Sequence, residues 1–468
     1  MGCRWREFAF DPAQRLGSPL FSNPTLHNFE PRVGLAWDPF HDGKTAVRAG
    51  FGMFDVLPLP YQFSLMISKQ GPFYKHGTAR PLPAGSFYSG ALPLLGSSSF
   101  VANYVEPHPH RNYVMQWNLD VQRGITKDLT GMLAYVGSRG VHQAVRVDDL
   151  DTVVPIRTPY GYLFPSPVGS GTVINPNFGQ IYGMHYAGNS FYHALLAGIT
   201  KRMSHGLEFQ TSLTWGKSID NSSGSIAGDT FSNGLSSLPW YDLRSTRGLS
   251  DFDIRRILVI TGTWQVPQPM KSLTGPVAWL SSGWELGALF KANDGVPFTA
   301  TFGTDGDPQG LNSSDPWAFP DRLSGPGCQS LVNPGNPNNY IKTQCFAVPT
   351  APNLAFYNAN CDPSFGTYPQ CFNLRGNAGR NILVGPGLTN LDFSVFKNNR
   401  VRHISENFNV QFRAEFFNIL NHANFGVPIT PDNTDIFDST GAPTGVAGRL
   451  TSTTTTAREI QFGLKLVW

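Results

Sequence analysis

The chain has 468 residues, of which 14% are charged and 13% aromatic, with 49 Gly and 37 Pro; an average soluble protein carries about 25% charge. That composition excludes a helical bundle, which uses Ala, Leu, Glu and Lys rather than Gly and Pro, and a disordered chain, which has few aromatics. With 35 basic residues against 32 acidic ones the net charge is +3, too even for a nucleic-acid surface, and no run of about 18 apolar residues marks a transmembrane helix.

The opening residues Met1-Gly2-Cys3-Arg4-Trp5-Arg6 carry no apolar h-region, no cleavage site and no myristoylation pattern. Residues 1–28 are read as the remnant of an outer loop and 29–468 as part of a β-barrel. Strands are predicted, in order, near 31–38, 44–54, 112–123, 128–137, 192–202, 206–216, 255–265, 283–292, 389–397, 407–419 and 459–468.

Alternation places them. In the last strand Ile460, Phe462, Leu464, Leu466 and Trp468 share one face, against Gln461, Gly463, Lys465 and Val467. Phe408, Val410, Phe412, Ala414 and Phe416 oppose Asn409, Gln411, Arg413 and Glu415 in the strand before it. Leu207, Phe209, Leu213 and Trp215 oppose Glu208, Gln210 and Ser212, and Leu391, Phe393 and Val395 oppose Asp392 and Ser394. A soluble sandwich alternates in the same way. Three features favour a membrane barrel. The runs have the length of roughly 9–11 residues that a tilted strand needs to cross a bilayer. Aromatics (Trp117, Trp215, Trp264, Trp284, Trp468) end the apolar rows, as an interfacial girdle would. Ionised residues sit in mid-strand on the opposite face. Glu208, Asp392, Arg413 and Glu415 are therefore expected to face the lumen.

Connections alternate short and long. The short ones are 39–43, 124–127, 203–205, 266–282 and 398–406; the long ones are 55–111, 138–191, 217–254, 293–388 and 420–458. An outer-membrane barrel has short periplasmic turns and long outer loops. Pro and Gly cluster in the loops, as in Asn333-Pro334-Gly335-Asn336-Pro337. Eleven strands leave two open edges, which lipid cannot satisfy. The chain is therefore expected to be the carboxyl-terminal part of a larger antiparallel transmembrane β-barrel. The alternative is a twelfth strand within 57–67 or 5–10, giving a small complete barrel.

Of five cysteines, Cys328, Cys345, Cys361 and Cys371 fall in the longest loop and Cys3 is left over. No C-x₂-C spacing points to zinc. Two disulfides are expected, in one of three pairings, and Cys328–Cys345 with Cys361–Cys371 closes the smaller loops.

The last residues resemble the assembly signal of outer-membrane barrels, through Gln461, Gly463, Leu466 and the terminal aromatic Trp468. Such a strand is offered to the barrel assembly machinery by β-augmentation. Longer strings resemble TonB-dependent receptors of the Oar-like group, which carry an amino-terminal carboxypeptidase-regulatory-like domain. They are Asn28-Phe29-Glu30-Pro31-Arg32-Val33-Gly34, Gln116-Trp117-Asn118-Leu119, Ala134-Tyr135-Val136-Gly137-Ser138-Arg139-Gly140, Thr214-Trp215-Gly216-Lys217-Ser218-Ile219-Asp220, Arg247-Gly248-Leu249-Ser250-Asp251-Phe252-Asp253 and Arg413-Ala414-Glu415-Phe416-Phe417-Asn418-Ile419-Leu420-Asn421-His422. The resemblance implies a plugged barrel of about 22 strands. It implies import of a scarce ligand driven by the TonB–ExbB–ExbD complex, which couples through an amino-terminal plug that these residues do not contain. Outer-membrane lipid, the assembly machinery and an unidentified small ligand are the expected partners. No nucleic acid and no cofactor are expected. A plug-less porin-like channel is the alternative function.

No catalytic residues are nominated. The sequence has no G-x-S-x-G, H-E-x-x-H or P-loop. His108-Pro109-His110 reads as a loop pair rather than a metal pair, and Asp305-Gly306-Asp307 lacks the Glu of a calcium loop. Asp251 and Asp253 read as structural.

Overall fold

The computed structural model describes residues 28–57, 102–147, 150–152, 154–165, 181–224, 239–268, 275–303, 318–363, 366–401, 408–429 and 432–468, with a few single positions between them. The predicted loop remnant before Asn28 lies outside these residues, as does the alternative twelfth strand within 5–10 or beyond Leu57.

Eleven strands form the body: β1 (Arg32–Trp37), β2 (Thr45–Asp55), β3 (Tyr113–Gly124), β4 (Leu129–Val147), β5 (Ile181–Ser204), β6 (Leu207–Asp220), β7 (Arg256–Gln265), β8 (Trp284–Asn293), β9 (Leu388–Arg400), β10 (Asn409–Phe417) and β11 (Glu459–Val467). Each pairs antiparallel with the next, so order in the sheet follows order in the chain. Two short pieces extend it: Ala102–Val105 runs parallel to the start of β5, and Gly248–Leu249 pairs with the end of β6. Among the described residues no ladder joins β1 to β11, and both edges of the sheet are open.

The register keeps every apolar row on one face. Leu464 lies opposite Phe412, Phe412 opposite Lys397, Phe393 opposite Ala288, Phe290 opposite Ile260, and Leu213 opposite Leu258. The row continues through Leu195, Tyr135, Leu119, Ala49 and Leu35. Lys397 apart, these side chains are not buried, and on the same face Phe462 is 67% exposed and Leu464 69%. An apolar face of this extent bare to water is unstable, and it suits a hydrocarbon solvent. The rows end in aromatics at both levels. Trp215 and Trp264 are eight register positions apart on neighbouring strands, about 26 Å along the strand. At the usual barrel tilt of about 35–45° this is roughly 18–21 Å of height, of the order of the apolar band between two girdles.

β4 continues to Val147 and β5 begins at Ile181, well beyond the predicted limits of 137 and 192. The physical reason is burial on both faces. Val145, Val147, Met184 and Tyr186 are all buried, so these extensions lack the alternation that marks a half-buried strand. The β5–β6 turn is the tightest. His205 and Gly206 both take positive φ, at 52° and 75°, as a two-residue type I′ hairpin requires. A Cβ on Gly206 would lie 2.6 Å from the Gln265 carbonyl oxygen.

The main hydrophobic core lies in the loops, with smaller buried clusters on the extensions of β4 and β5. Phe164, Phe298, Phe302, Phe319, Phe372, Ile341, Leu383 and Ile436 are almost fully buried together. They come from the connections that follow β4, β8 and β10, which pack into one cap at the long-loop end. A parallel bridge from Thr301–Phe302 to Asp435–Phe437 ties two of those connections together.

Candidate functional site: the polar face and the loop cap

The face opposite the apolar rows is polar. Glu208, Asp392, Arg413 and Glu415 all lie on it, in register with Thr263, Leu289, Gly463 and Gln461. Thr263 Oγ1 donates to Glu208 at 2.9 Å. The Arg413 guanidinium donates to Gln411 Oε1 at 2.6 Å and lies 5.4 Å from the Phe396 ring centre. Asp392 accepts from the Asn418 backbone N–H at 2.8 Å, which fixes the end of β10 to β9. Arg48 reaches Asp120 at 3.4 Å and Gln122 at 3.0 Å on the same face. Side chains of this kind bind and orient polar groups; their pairings contain no nucleophile–base contact.

The cap is braced covalently. Cys328 is joined to Cys345 and Cys361 to Cys371. The second bridge closes on a short helix, α2 (Leu354–Asn360), whose Asn353 side chain caps the Phe356 N–H at 2.8 Å. Cys3 lies outside the described residues.

A buried ionic cluster fastens the cap to the sheet. Arg380, from the β8–β9 connection, donates to Asp251 at 2.9 Å and to Asp220 at the end of β6. Asn381 Nδ2 also donates to Asp251, at 2.6 Å. Burial pushes the Asp251 carboxyl up from its ordinary range, and the Arg380 guanidinium opposes that shift. Asp253 is raised for the same first reason, while it accepts the Ser218 N–H. Both aspartates therefore hold backbone and cap together rather than converging on a reactive centre. Sequence reasoning missed Arg380, Asn381 and Asp220, because their partners lie 129 to 160 residues away and no local pattern marks them.

Beneath the cap, Glu106, His110, His142, His185, Asn189 and Trp240 line a cavity of about 350 Å³. The His110 and His142 rings meet at a tilt of 33°, with ring centres 5.1 Å apart. The imidazole partner of His110 is thus supplied by β4 across the fold. Glu106 accepts the Tyr186 N–H at 2.9 Å, and His142 Nδ1 lies 3.0 Å from the Arg111 carbonyl oxygen. No group of three or more His, Cys, Asp or Glu with metal-binding geometry occurs among the described residues. The Asp305-Gly306-Asp307 loop lies outside them.

In the terminal strand, Gln461 and Gly463 lie on the polar face, opposite Glu415 and Arg413, and Leu466 on the apolar one, opposite Val410. Trp468 follows the strand and is 82% exposed.

A family model described as an outer membrane beta barrel domain matches residues 7–461. No curated protein sequence matches. Among solved structures, the outer membrane transporter YddB from Escherichia coli shares 11% identity with a TM-score of 0.44, over 95% of this chain and 41% of that one. A mutant of the ferric enterobactin receptor PfeA from Pseudomonas aeruginosa shares 12% identity with a TM-score of 0.43, over 93% and 40%. The FrpB iron transporter from Neisseria meningitidis shares 10% identity with a TM-score of 0.36, over 93% and 39%. The chain thus spans about two-fifths of the length of these solved structures.

Proposed function

The chain belongs to the outer membrane beta barrel domain family, and on that premise we propose that it is the carboxyl-terminal barrel part of an Oar-like, TonB-dependent receptor that takes up a scarce ligand. The sheet is an antiparallel outer-membrane β-sheet, located in the outer membrane. One observation carries the reading further. The same eleven-stranded meander presents an apolar face on one side and a charged, hydrogen-bonded face on the other, under a cap built from its long connections. A wide barrel with a polar, occupied lumen and an elaborated outer surface needs that combination.

In this reading Glu208, Asp392, Arg413 and Glu415 face the lumen and meet a plug. The cap lies outside the cell, and the short connections lie in the periplasm. The open edges of β1 and β11 are completed by further strands, since unpaired ladder groups are not tolerated in hydrocarbon. TonB acts through the plug, not through these residues. The role is non-catalytic, and Gln461, Gly463, Leu466 and Trp468 serve delivery to the assembly machinery.

Uptake tests it. Cells deleted for the gene should lose accumulation of one growth-limiting nutrient, and TonB-deficient cells should lose the same nutrient. Steady open-channel conductance of the purified protein in planar bilayers, with no such loss, would establish the plug-less channel instead.

A further inference from the structure

We infer that the β7–β8 connection carries a membrane-interface helix, whose apolar side lies among the phospholipid headgroups and upper acyl chains around the rim. The helix is α1 (Gly275–Ser281), and the inference rests on the outer-membrane reading above.

The local chain explains why a helix forms there. Pro276 sits in its first turn, where a missing N–H costs nothing. Gly283, at φ 76°, turns the chain back into β8, and a Cβ there would meet the Asn398 carbonyl oxygen at 2.3 Å. Trp284 Nε1 donates to the Leu280 carbonyl at 2.8 Å, closing the last turn onto the strand.

Lys397 decides on which side of the wall the helix lies. In register it stands opposite Trp284 and Phe412, on the apolar outward face. Its ammonium is 5.1 Å from the Trp279 ring centre and 5.8 Å from that of Trp284, and its side chain is buried between them. This cation–π clamp holds α1 against the outside of the sheet. A helix folded over the lumen could not make the contact.

Ala278 and Ser281, the less exposed positions, face the sheet. Val277 and Leu280 are 60% and 63% exposed, and Trp279, whose ring meets Lys397 on one side, is still 56% exposed. The outward row next to Trp284 and Lys397 is Leu286, Val395, Ala414 and Phe462, so this apolar surface adjoins the apolar wall. Seven residues are too few to span a bilayer. A short helix with an indole on its apolar side lies in the interfacial plane. Its occupant is therefore lipid, in the leaflet at the short-connection end.

The test places a fluorophore on that side. Val277→Cys, in a Cys3→Ser background, is labelled with bimane in protein taken from the outer membrane and reconstituted in phosphatidylcholine vesicles. Phospholipid brominated close to the ester linkage should quench most of the emission, and aqueous iodide little of it. Leu464→Cys, labelled in the same way, reports on the barrel wall. Quenching of the Val277 site by iodide alone, with Leu464 quenched by lipid, overturns the inference and leaves the barrel reading standing. Iodide quenching at both sites overturns the barrel reading beneath it. Trp279→Phe gives an independent check without a label. It should remove a lipid-quenchable part of the native indole emission, and an unchanged quenchable fraction counts against the inference.

Discussion

Arg380 and Asp251 are joined by a 2.9 Å hydrogen-bonded ion pair between two side chains that are both almost completely buried. The pair links the β8–β9 connection to the approach to β7, so the cap and the top of the sheet share one ionic fastening. Breaking such a pair from one side leaves an uncompensated buried charge, at a cost of about 3–5 kcal/mol. Arg380→Met should therefore loosen the cap while the barrel still forms. Limited proteolysis should cut the connections after β8 and β10 much faster, with heat-modifiable migration of the barrel unchanged. Adding Asp251→Asn should restore part of the resistance; no restoration would mean that the Arg380 effect is not electrostatic.

The cysteine bridges close loops with sequence separations of 17 and 10. A closed loop of about 15 residues contributes roughly 3 kcal/mol through the unfolded chain. Replacing Cys328 and Cys345 together by Ser should increase proteolysis of the cap without reducing insertion. Peptide mapping without reductant should recover the 328–345 and 361–371 pairs. Crossed pairs would contradict the arrangement.

Phe412 lies on the apolar face in mid-strand, stacked on Phe462 with ring centres 6.1 Å apart. A lysine on a lipid-facing wall costs up to about 2–4 kcal/mol at mid-depth and less toward the interface, on whose side Lys397 stands opposite Phe412. Phe412→Lys should lower the yield of heat-modifiable barrel, whereas Gln411→Lys, on the other face, should not. Normal yield from Phe412→Lys would reverse the assignment of the two faces.

Removing Trp468 should slow delivery to the outer membrane without altering the folded sheet, because the residue follows β11 and takes no part in its ladder. Pulse-labelled membrane fractionation measures it. Equal insertion rates would remove these residues from the role of assembly signal.

Asp128, in the turn between β3 and β4, accepts from Ser204, Thr126 and Lys201. The Ser204 hydroxyl is the largest influence, followed by Thr126 and Lys201, and together they hold the carboxyl far below its ordinary value of 3.8. A carboxylate depressed by folding stabilises the turn above its unfolded pKa, and that contribution fades as pH falls toward its folded pKa. The turn should thus be intact from neutrality down to about pH 4 and weaken only below it. Carbon-13 spectra of the carboxyl group across this range should show it still ionised at pH 3.8. Half-protonation at that pH would contradict the network.

Much of the fold is written in the strands themselves. Leu464, Phe412, Phe393 and Leu213 recur at every second position because one medium solvates one face along the whole strand. Where that condition ends, so does the pattern: Val145 and Met184 are covered on both sides, and the extensions of β4 and β5 go unread. The same limit hides α1, since seven residues give barely two turns of periodicity and its clamp, Lys397, is over a hundred positions downstream. Arg380 is hidden for a related reason. An isolated Arg near a loop end is ordinary in sequence, and only the fold brings Asp220 and Asp251 to it.

The location of the core in the connections has a consequence for timing. Phe164, Phe319, Ile341 and Phe372 are contributed before the last hairpin, but Ile436 and Phe437 come from the connection between β10 and β11. The cap thus lacks its closing pieces until the final strand pair has carried that connection across. Contacts this distant in sequence form only once the loops that separate them are closed, so completion of the cap is tied to placement of the β10–β11 connection.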